Sequence, residues 1–492
     1  MSVRSDSLIF LFFFFHFYFA HFPTTLLATS HLEKLQSWKK SKKRNTGIIP
    51  VNNQFTMSDL HDLCRFETRP IDKSYIEKLQ HYLKSGIPST YTVEEAYNYT
   101  NNIEIEPSTT TTPLHLICRN VPVDCTEDEN QIVNQMVEIL FEYGAGWSFT
   151  DVENLTPGCI LIKRGLKNCK LYDQIVDAGV RAELVLRKAG EFDMEIIEDT
   201  DDLNHEEFGE AIPDLVEEKD EVKDEPEQQL NEQPKEQPKQ ETVAEVDDPV
   251  DAPSQNQNSY LNTKLEYTDD SLITKDRKDG VMMAWETDIM KLGADTLFNG
   301  AIIDSDTNEE DSEIYILNIG FGMGIIDGFI QNQKPTKHYI CEAHPDVLAK
   351  LKKDGWYEKE NVVILEGRWQ DKLDELLSNG QVFFNGIYYD TFLEHYSDML
   401  ELFDYVVGLL KPHGVFSFFN GLGADREVVY EVYKKLVEID LGNYGLECKF
   451  KEIDIPKEML QDNEDKSVWE NVKRSYWSCP VYFHPEIKFI DY

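Results

Sequence analysis

The stretch Glu313 to His344, reading EIYILNIGFGMGIIDGFIQNQKPTKHYICEAH, constrains the fold more than any other part of the chain. A run rich in β-branched and aromatic residues, Ile314 to Ile319, meets a glycine cluster at Gly320, Gly322 and Gly324. A second strand-like run, His338 to Cys341, then ends on Glu342. Strand, glycine-rich turn, helix, strand and acid form the first half of a nucleotide-binding α/β sheet. Glycines at such a turn let a ligand approach the backbone and the helix N-terminus. Glu342, at the tip of the second strand, is placed to accept hydrogen bonds from a ribose diol.

The glycine spacing narrows the ligand. Counting from Gly320 the sixth position is Ile325, and counting from Gly322 it is Asp327, so neither register gives the dinucleotide pattern Gly-x-Gly-x-x-Gly. Gly-x-Gly-x-Gly better suits a cofactor without a pyrophosphate, of which S-adenosylmethionine is the common case. A nicotinamide oxidoreductase fits less well, and a glycine turn with no ligand is the plain competitor.

At 492 residues the chain has room for two or three domains. Residues 1–56 hold a Phe-dense run, Leu8 to Phe22, and a basic patch from Lys39 to Arg44. They read either as a signal peptide or short anchor, or, the reading adopted, as an extension upstream of a true start at Met57. Residues 57–190 carry helical patterns. Thr112-Pro113-Leu114-His115 precedes a helix over Ile132 to Tyr143, and Thr156-Pro157 precedes one over Tyr172 to Ala178. The helix-ending glycines Gly144 and Gly179 are spaced close to the ankyrin period of about 33 residues. An ankyrin-like helical domain is expected, with His115 ordering a turn between repeats. Residues 191–258 are acidic and rich in Gln and Pro, as in EEKDEVKDEPEQQLNEQPKEQPKQE, and are expected to be a disordered linker.

Residues 259–492 return to globular composition. A lead-in segment, Leu261 to Asp279, is followed by an expected helix over Gly280 to Leu292. Strands are expected at Ile314 to Ile319, His338 to Cys341, Val362 to Leu365, Gly386 to Tyr389 and Gly414 to Phe419. Helices between them include Asp346 to Asp354, Tyr396 to Leu410 and Arg426 to Ile439. This alternation predicts an α/β, doubly wound parallel sheet. Two further β-rich runs, Glu447 to Ile455 and Tyr476 to Phe483, are expected as an antiparallel pair at its edge, making seven strands.

Ligands in such sheets bind beyond the carboxyl ends of the strands. Those ends are Gly320 to Ile325, Glu342 with Ala343 and His344, Gly367 to Gln370, Asp390 and Asn420. Asp390, closing the run Gly386-Ile387-Tyr388-Tyr389, is the residue delivered where chemistry would occur, although an Asp before Thr391 can equally cap a helix. Cys341 reads as packing, and His344 and His395 as possible lining.

The motifs GVMMAWETDIM, ILNIGFGMGI, CEAH, EGRWQD and GIYYDTF, in that order, resemble guanidinoacetate methyltransferase and, more closely, the fungal protein arginine delta-N-methyltransferases. The resemblance spans about Tyr260 to Tyr492. It implies a Rossmann-like methyltransferase fold and S-adenosylmethionine as cofactor, held by Gly320, Phe321, Gly322, Met323, Gly324 and Ile325. Glu342 would be its ribose ligand, with Ala343 and His344 beside it, and Trp369 and Gln370 the adenine-side pair, Gln370 standing where the small-molecule enzyme has an acid. Tyr267, Met282 and Met290 would be lid residues. Glu286 and Asp390 would be the catalytic carboxylates that bind the guanidino group, with no metal required. Two acids can hold the planar, permanently charged guanidinium bidentately, and Asp390 can take its proton.

The resemblance further implies a large-subunit ribosomal protein as substrate, and a net charge of −43 suits a basic partner and disfavours nucleic acid. Eight cysteines without a CxxC pair read as reduced thiols of a cytoplasmic or nuclear protein. A monomer without membrane attachment is expected if translation starts at Met57. Two rivals stand beside this reading. One is a small-molecule guanidino methyltransferase, whose activity would survive deletion of residues 57–190. The other is an ankyrin-type scaffold with a non-catalytic cofactor domain.

Overall fold

The computed structural model describes residues 59–103, 110–201, 257–300, 313–392, 396–460, 467–470, 472–473 and 476–490. The expectations for residues 1–56, for 202–256 of the linker and for His395 lie outside the described residues. Among the described residues no helix is long and apolar enough to cross a membrane.

The amino-terminal part is built of helices α1 (Asp59–Leu63), α2 (Lys73–Lys84), α3 (Val93–Thr100), α4 (Pro113–Asn120), α5 (Glu127–Glu142), α6 (Pro157–Lys163) and α7 (Lys170–Asp201). The two Thr-Pro pairs start α4 and α6, with Thr112 and Thr156 as N-caps and Pro at the first helical position, where its missing N–H costs nothing. His115 is fully buried. Its Nδ1 accepts from the Thr112 amide at 3.1 Å and its Nε2 lies 2.9 Å from the Phe149 carbonyl, so the ring ties one helical pair to the turn before the next.

Two expectations need correcting here. Gly144, with φ of 83°, does end α5, but Gly179 ends nothing: α7 runs through it to Asp201, past the expected boundary at 190. A Cβ at Gly179 would lie 2.6 Å from Val432 Cγ2, and one at Gly158 2.5 Å from Val428 Cγ2. These glycines are absences of side chain that admit a helix of the other domain.

That helix is α14. The carboxy-terminal part runs α8 (Gln257–Asn262), β1 (Leu265–Tyr267), β2 (Ser271–Thr274), β3 (Gly280–Met283), a 3₁₀ turn (Ala284–Glu286) and α9 (Thr287–Leu297). It continues with β4 (Tyr315–Ile319), α10 (Ile325–Asn332), β5 (Lys337–Glu342), α11 (Pro345–Lys353), β6 (Val362–Glu366), α12 (Trp369–Asn379) and β7 (Phe384–Tyr389). The last elements are α13 (Tyr396–Leu409), β8 (Leu410–Phe418), α14 (Glu427–Asn443), β9 (Leu446–Asp454) and β10 (Val481–Phe489). The main sheet has the order β6-β5-β4-β7-β8-β10-β9. Strands β4 to β8 are parallel, and β10 pairs antiparallel with both β8 and β9. The seven-stranded α/β sheet matches the expected fold. The order reverses between β4 and β7, which opens a crevice beyond their carboxyl ends.

The expected helix over Gly280 to Leu292 is split. Gly280–Met283 is the third strand of a small antiparallel sheet β1-β2-β3, with Met283 opposite Ser271 and Met282 opposite Leu272, and the helix begins only at Thr287. A four-residue apolar run does not distinguish strand from helix by periodicity. The last strand also starts later than expected, at Val481, which leaves Tyr476 outside the sheet.

The two parts share a core. Val428, Val432 and Leu436 of α14 are buried in the same apolar cluster as Leu161, Tyr172 and Ile175 of the helical part. Val437 and Leu441 of the same helix pack into the sheet.

Candidate active site

The glycine turn between β4 and α10 forms the floor of the crevice. Gly320 has φ of 90°, and a Cβ there would stand 1.9 Å from the Asp390 carbonyl oxygen, so only glycine lets the ends of β4 and β7 lie this close. A Cβ at Gly322 would meet Met282 Sδ at 2.9 Å. The turn is tied from both sides: the Tyr267 hydroxyl donates to the Gly322 carbonyl at 3.0 Å, and the Met323 amide donates to Met282 Sδ at 3.2 Å.

Glu342 closes the neighbouring strand end. Its Oε2 accepts from the Phe321 amide at 3.0 Å and its Oε1 from the Ala343 and His344 amides at 2.8 and 2.6 Å. Burial raises its pKa, while those backbone donors oppose the rise. The carboxylate therefore fixes the glycine turn against β5 and lines the cleft.

Met282, Gly320, Gly322, Glu342, Ala343, Trp369 and Asp390, all expected from sequence, line that cleft. Other expected residues stand behind it. Phe321 is buried edge-on against Trp356, and Met290 is buried with its sulfur 3.7 Å from the Tyr388 hydroxyl. Met323, Gly324 and Ile325 shape the turn and the start of α10. The His344 ring is spent on structure: Nδ1 accepts from the Asp346 amide as the N-cap of α11, and Nε2 lies 3.1 Å from the Tyr260 carbonyl. Gln370 is half-buried, and its Oε1 is enclosed without a hydrogen-bond partner.

The two expected catalytic acids lie within electrostatic reach of each other. Asp390 is anchored by its amide to the Ile319 carbonyl at 2.9 Å, and its Oδ2 is shut off from solvent with no hydrogen-bond partner. Burial, assisted by the charge of Asp327, pushes its pKa up to about 7. Glu286, on the 3₁₀ turn before α9, is 3% exposed. Burial and then the Asp390 charge push it up to about 8. A cation placed beside buried acids of this kind would draw them back to their ionised forms.

Three contributions were not legible in the sequence. The Tyr476 hydroxyl donates to Glu286 Oε1, and its ring belongs to an aromatic cluster with Trp285, Trp469 and Trp477. Tyr260 of α8 lines the cleft and packs at a tilt between His344 and Phe392. Asp327 of α10 is fully buried, receives Asn318 Nδ2 at 3.0 Å and lies 3.2 Å from His338 Nε2. None of these belongs to a local motif.

A family model for guanidinoacetate N-methyltransferase matches residues 257–487. The chain is 64% identical over 440 residues to protein arginine N-methyltransferase 2 of Debaryomyces hansenii, across 88% of this chain and 100% of that protein. The protein of the same name from Saccharomyces cerevisiae is 51% identical over 448 residues, again 88% of this chain and 100% of the relative. Among solved structures the chain is similar to the O-methyltransferase TomG of Streptomyces achromogenes in complex with SAM. That likeness has 14% identity and a TM-score of 0.28, and covers 43% of this chain and 82% of that one.

Proposed function

This chain belongs to the protein arginine N-methyltransferase 2 family, and from that premise we propose that it places one methyl group on the delta nitrogen of an arginine in a protein. The proposed substrate is a basic protein of the large ribosomal subunit, met by a monomeric enzyme in the cytoplasm and nucleus. The observation that carries this reading is the pair Glu286 and Asp390, both acids pushed far above their ordinary range beside a glycine-floored cleft.

The cofactor is S-adenosylmethionine, and the residues fit it. The turn at Gly320 and Gly322 has no room for side chains, Glu342 offers a carboxylate at the cleft wall, and Gln370 Oε1 is an enclosed acceptor without a partner. In this assignment Glu342 holds the ribose, Trp369 and Gln370 the adenine, and Met282 with Tyr267 steadies the turn. When bound, S-adenosylmethionine supplies an electrophilic methyl group on a cationic sulfur.

The chain's own residues supply the rest. Glu286 and Asp390 receive the guanidinium, whose charge draws both acids back to their ionised forms. Its planar paired donors match two carboxylates, and this contact fixes which nitrogen faces the cleft. Tyr476 holds Glu286 by one oxygen, so the acid cannot rotate away. Asp390 Oδ2, free of protein partners, accepts the proton as the nitrogen becomes nucleophilic. Glu286 is 3% exposed and Asp390 Oδ2 is enclosed, and exclusion of water strengthens each of these interactions.

The match of residues 257–487 to guanidinoacetate N-methyltransferase favours one second reading, a small-molecule guanidino methyltransferase. Labelled S-adenosylmethionine offered with both large-subunit ribosomal proteins and guanidinoacetate separates the two. Label in protein is expected. Label in guanidinoacetate alone would establish the second reading, and label in neither, with cofactor bound, would overturn both.

A further inference from the structure

We infer that Asp327 is a positioning residue for Asp390, acting on it from behind the glycine turn through a buried hydrogen-bond chain and through its own charge. The inference rests on the reading that Asp390 takes the proton from the guanidino group.

Asp327 lies in the first turn of α10, where the helix N-terminus favours a carboxylate. It is fully buried, and so are the two polar residues it meets, Asn318 of β4 and His338 of β5. Asn318 Nδ2 donates to both Asp327 oxygens at 3.0 Å and to the Gly320 carbonyl at 2.8 Å. Gly320 leaves no room for a side chain against the Asp390 carbonyl, and the Asp390 amide is bonded to Ile319, the residue between Asn318 and Gly320. One side-chain nitrogen therefore ties the acid of α10 to the strand end on which Asp390 is laid.

The other flank is built to match. Asp327 Oδ1 lies 3.2 Å from His338 Nε2. Gln331, one turn further along α10, places its amide nitrogen 3.0 Å from His338 Nδ1. That nitrogen can only donate, so Nδ1 accepts and the ring hydrogen sits on Nε2, beside Asp327. Asn361 Nδ2 donates in turn to Gln331 Oε1 at 3.3 Å. Among the described ion pairs Asp327 meets only this imidazole, and no lysine or arginine. A charge held by neutral donors and shut off from solvent is weakly screened, and so acts on its neighbours at a distance.

That charge reaches Asp390, where it adds to burial in favouring the protonated acid. The titratable groups that feel Asp390 are Glu286, Tyr260 of α8, Tyr388 of β7, Tyr476, and Tyr482 of β10. The tyrosines hold their protons, so Glu286 and Asp327 are the groups that bring charge to Asp390. Beside Asp327 itself stand His338 and Lys359, whose ammonium rests 3.3 Å from the centre of the Trp356 ring. An acid held to a higher proton affinity is a stronger general base, and the rate of proton removal follows that affinity.

The test follows the Asp390 carboxyl itself. The full chain is labelled with carboxyl-enriched aspartate, the Asp390 resonance is assigned by its loss in Asp390→Asn, and its titration is compared between the parent and Asp327→Asn by carbon NMR. Methyl transfer is read in single turnover and cofactor affinity by calorimetry. Asp327→Asn is expected to move the Asp390 midpoint to lower pH and to slow methyl transfer at about pH 9 by on the order of threefold, with cofactor affinity within about threefold. A merely structural role would slow the reaction with the midpoint unmoved, and that result would overturn the inference, as would a midpoint that rises. Should Asp327→Asn fail to fold, Asp327→Ser is also neutral, can still accept from Asn318, and is expected to move the midpoint the same way. Asp390→Asn inactive, with the midpoint unmoved by the Asp327 variants, would reject the role of Asp327 and leave the catalytic reading standing. Asp390→Asn as active as the parent would reject that reading, and the inference with it.

Discussion

The Tyr476 hydroxyl donates to the carboxylate of Glu286 across 190 residues of sequence. It joins a loop before the last strand to the turn before α9, and it is the only donor to a Glu286 side-chain oxygen from another side chain among the hydrogen bonds described. This bond opposes the upward pull of burial on Glu286.

Tyr476→Phe removes that hydroxyl and keeps the ring in its cluster. Loss of a hydrogen bond to a charged group is worth about 1.5–3 kcal/mol, so kcat/KM for the arginine substrate is expected to fall by on the order of tenfold or more. Because the bond favours the ionised acid, its loss raises the Glu286 pKa further, and the acid limb of the kcat/KM profile moves to higher pH. A pH–rate series on both proteins checks this. An unmoved limb would separate Tyr476 from Glu286.

Asp390→Asn keeps the shape of the side chain and removes the proton acceptor. Turnover is expected to fall by on the order of a hundredfold, with cofactor affinity within about threefold, as measured by single-turnover assays and calorimetry. Loss of cofactor binding in parallel would make Asp390 a binding residue instead.

The pH dependence of stability follows from the same two acids. Asp390 and Glu286 hold their protons more tightly in the folded chain, up to about 7 and about 8, than at their ordinary values of 3.8 and 4.5. Their contribution is therefore fully present below those ordinary values and is lost as pH rises through the folded ones. Glu286→Gln should melt close to the parent at about pH 5 and increasingly above it towards about pH 9. Thermal melts across that range test the sign, and parallel curves would contradict it.

The shared core predicts coupling between the domains. In Gly179→Ala the new methyl meets Val432, and overpacking of this kind costs about 1–3 kcal/mol. Val432→Ala on top of it should recover part of that loss, giving a coupling of about 1 kcal/mol in denaturant unfolding. Strict additivity would mean that the two helices do not meet in solution. The same contact changes what a deletion can show: without residues 57–190, Val428, Val432 and Leu436 would face water, so lost activity would not distinguish a protein substrate from a small one.

The strands of the main sheet, the glycine turn and the acids Glu342 and Asp390 were legible because each is a local signal: an apolar run, a steric requirement, an acid at a strand end. Glu286 came only with the family resemblance. What was missed is non-local or ambiguous. GVMM is too short to show its period, and becomes a strand only because β2 lies beside it. Gly179 reads as a helix end until Val432 is seen against it. Helix α14 is buried on two faces, so its pattern does not announce that one face belongs to another domain. Tyr476 bonds to a partner that only folding brings near.

The most direct test of the central claim is the position of the methyl group. Ribosomal protein methylated by the full-length enzyme is digested, and the methylated arginine is fragmented in a mass spectrometer. The account predicts a single methyl that stays with the side-chain fragment retaining the delta nitrogen, and none from the Asp390→Asn enzyme. A methyl lost with the terminal guanidino nitrogens would contradict it.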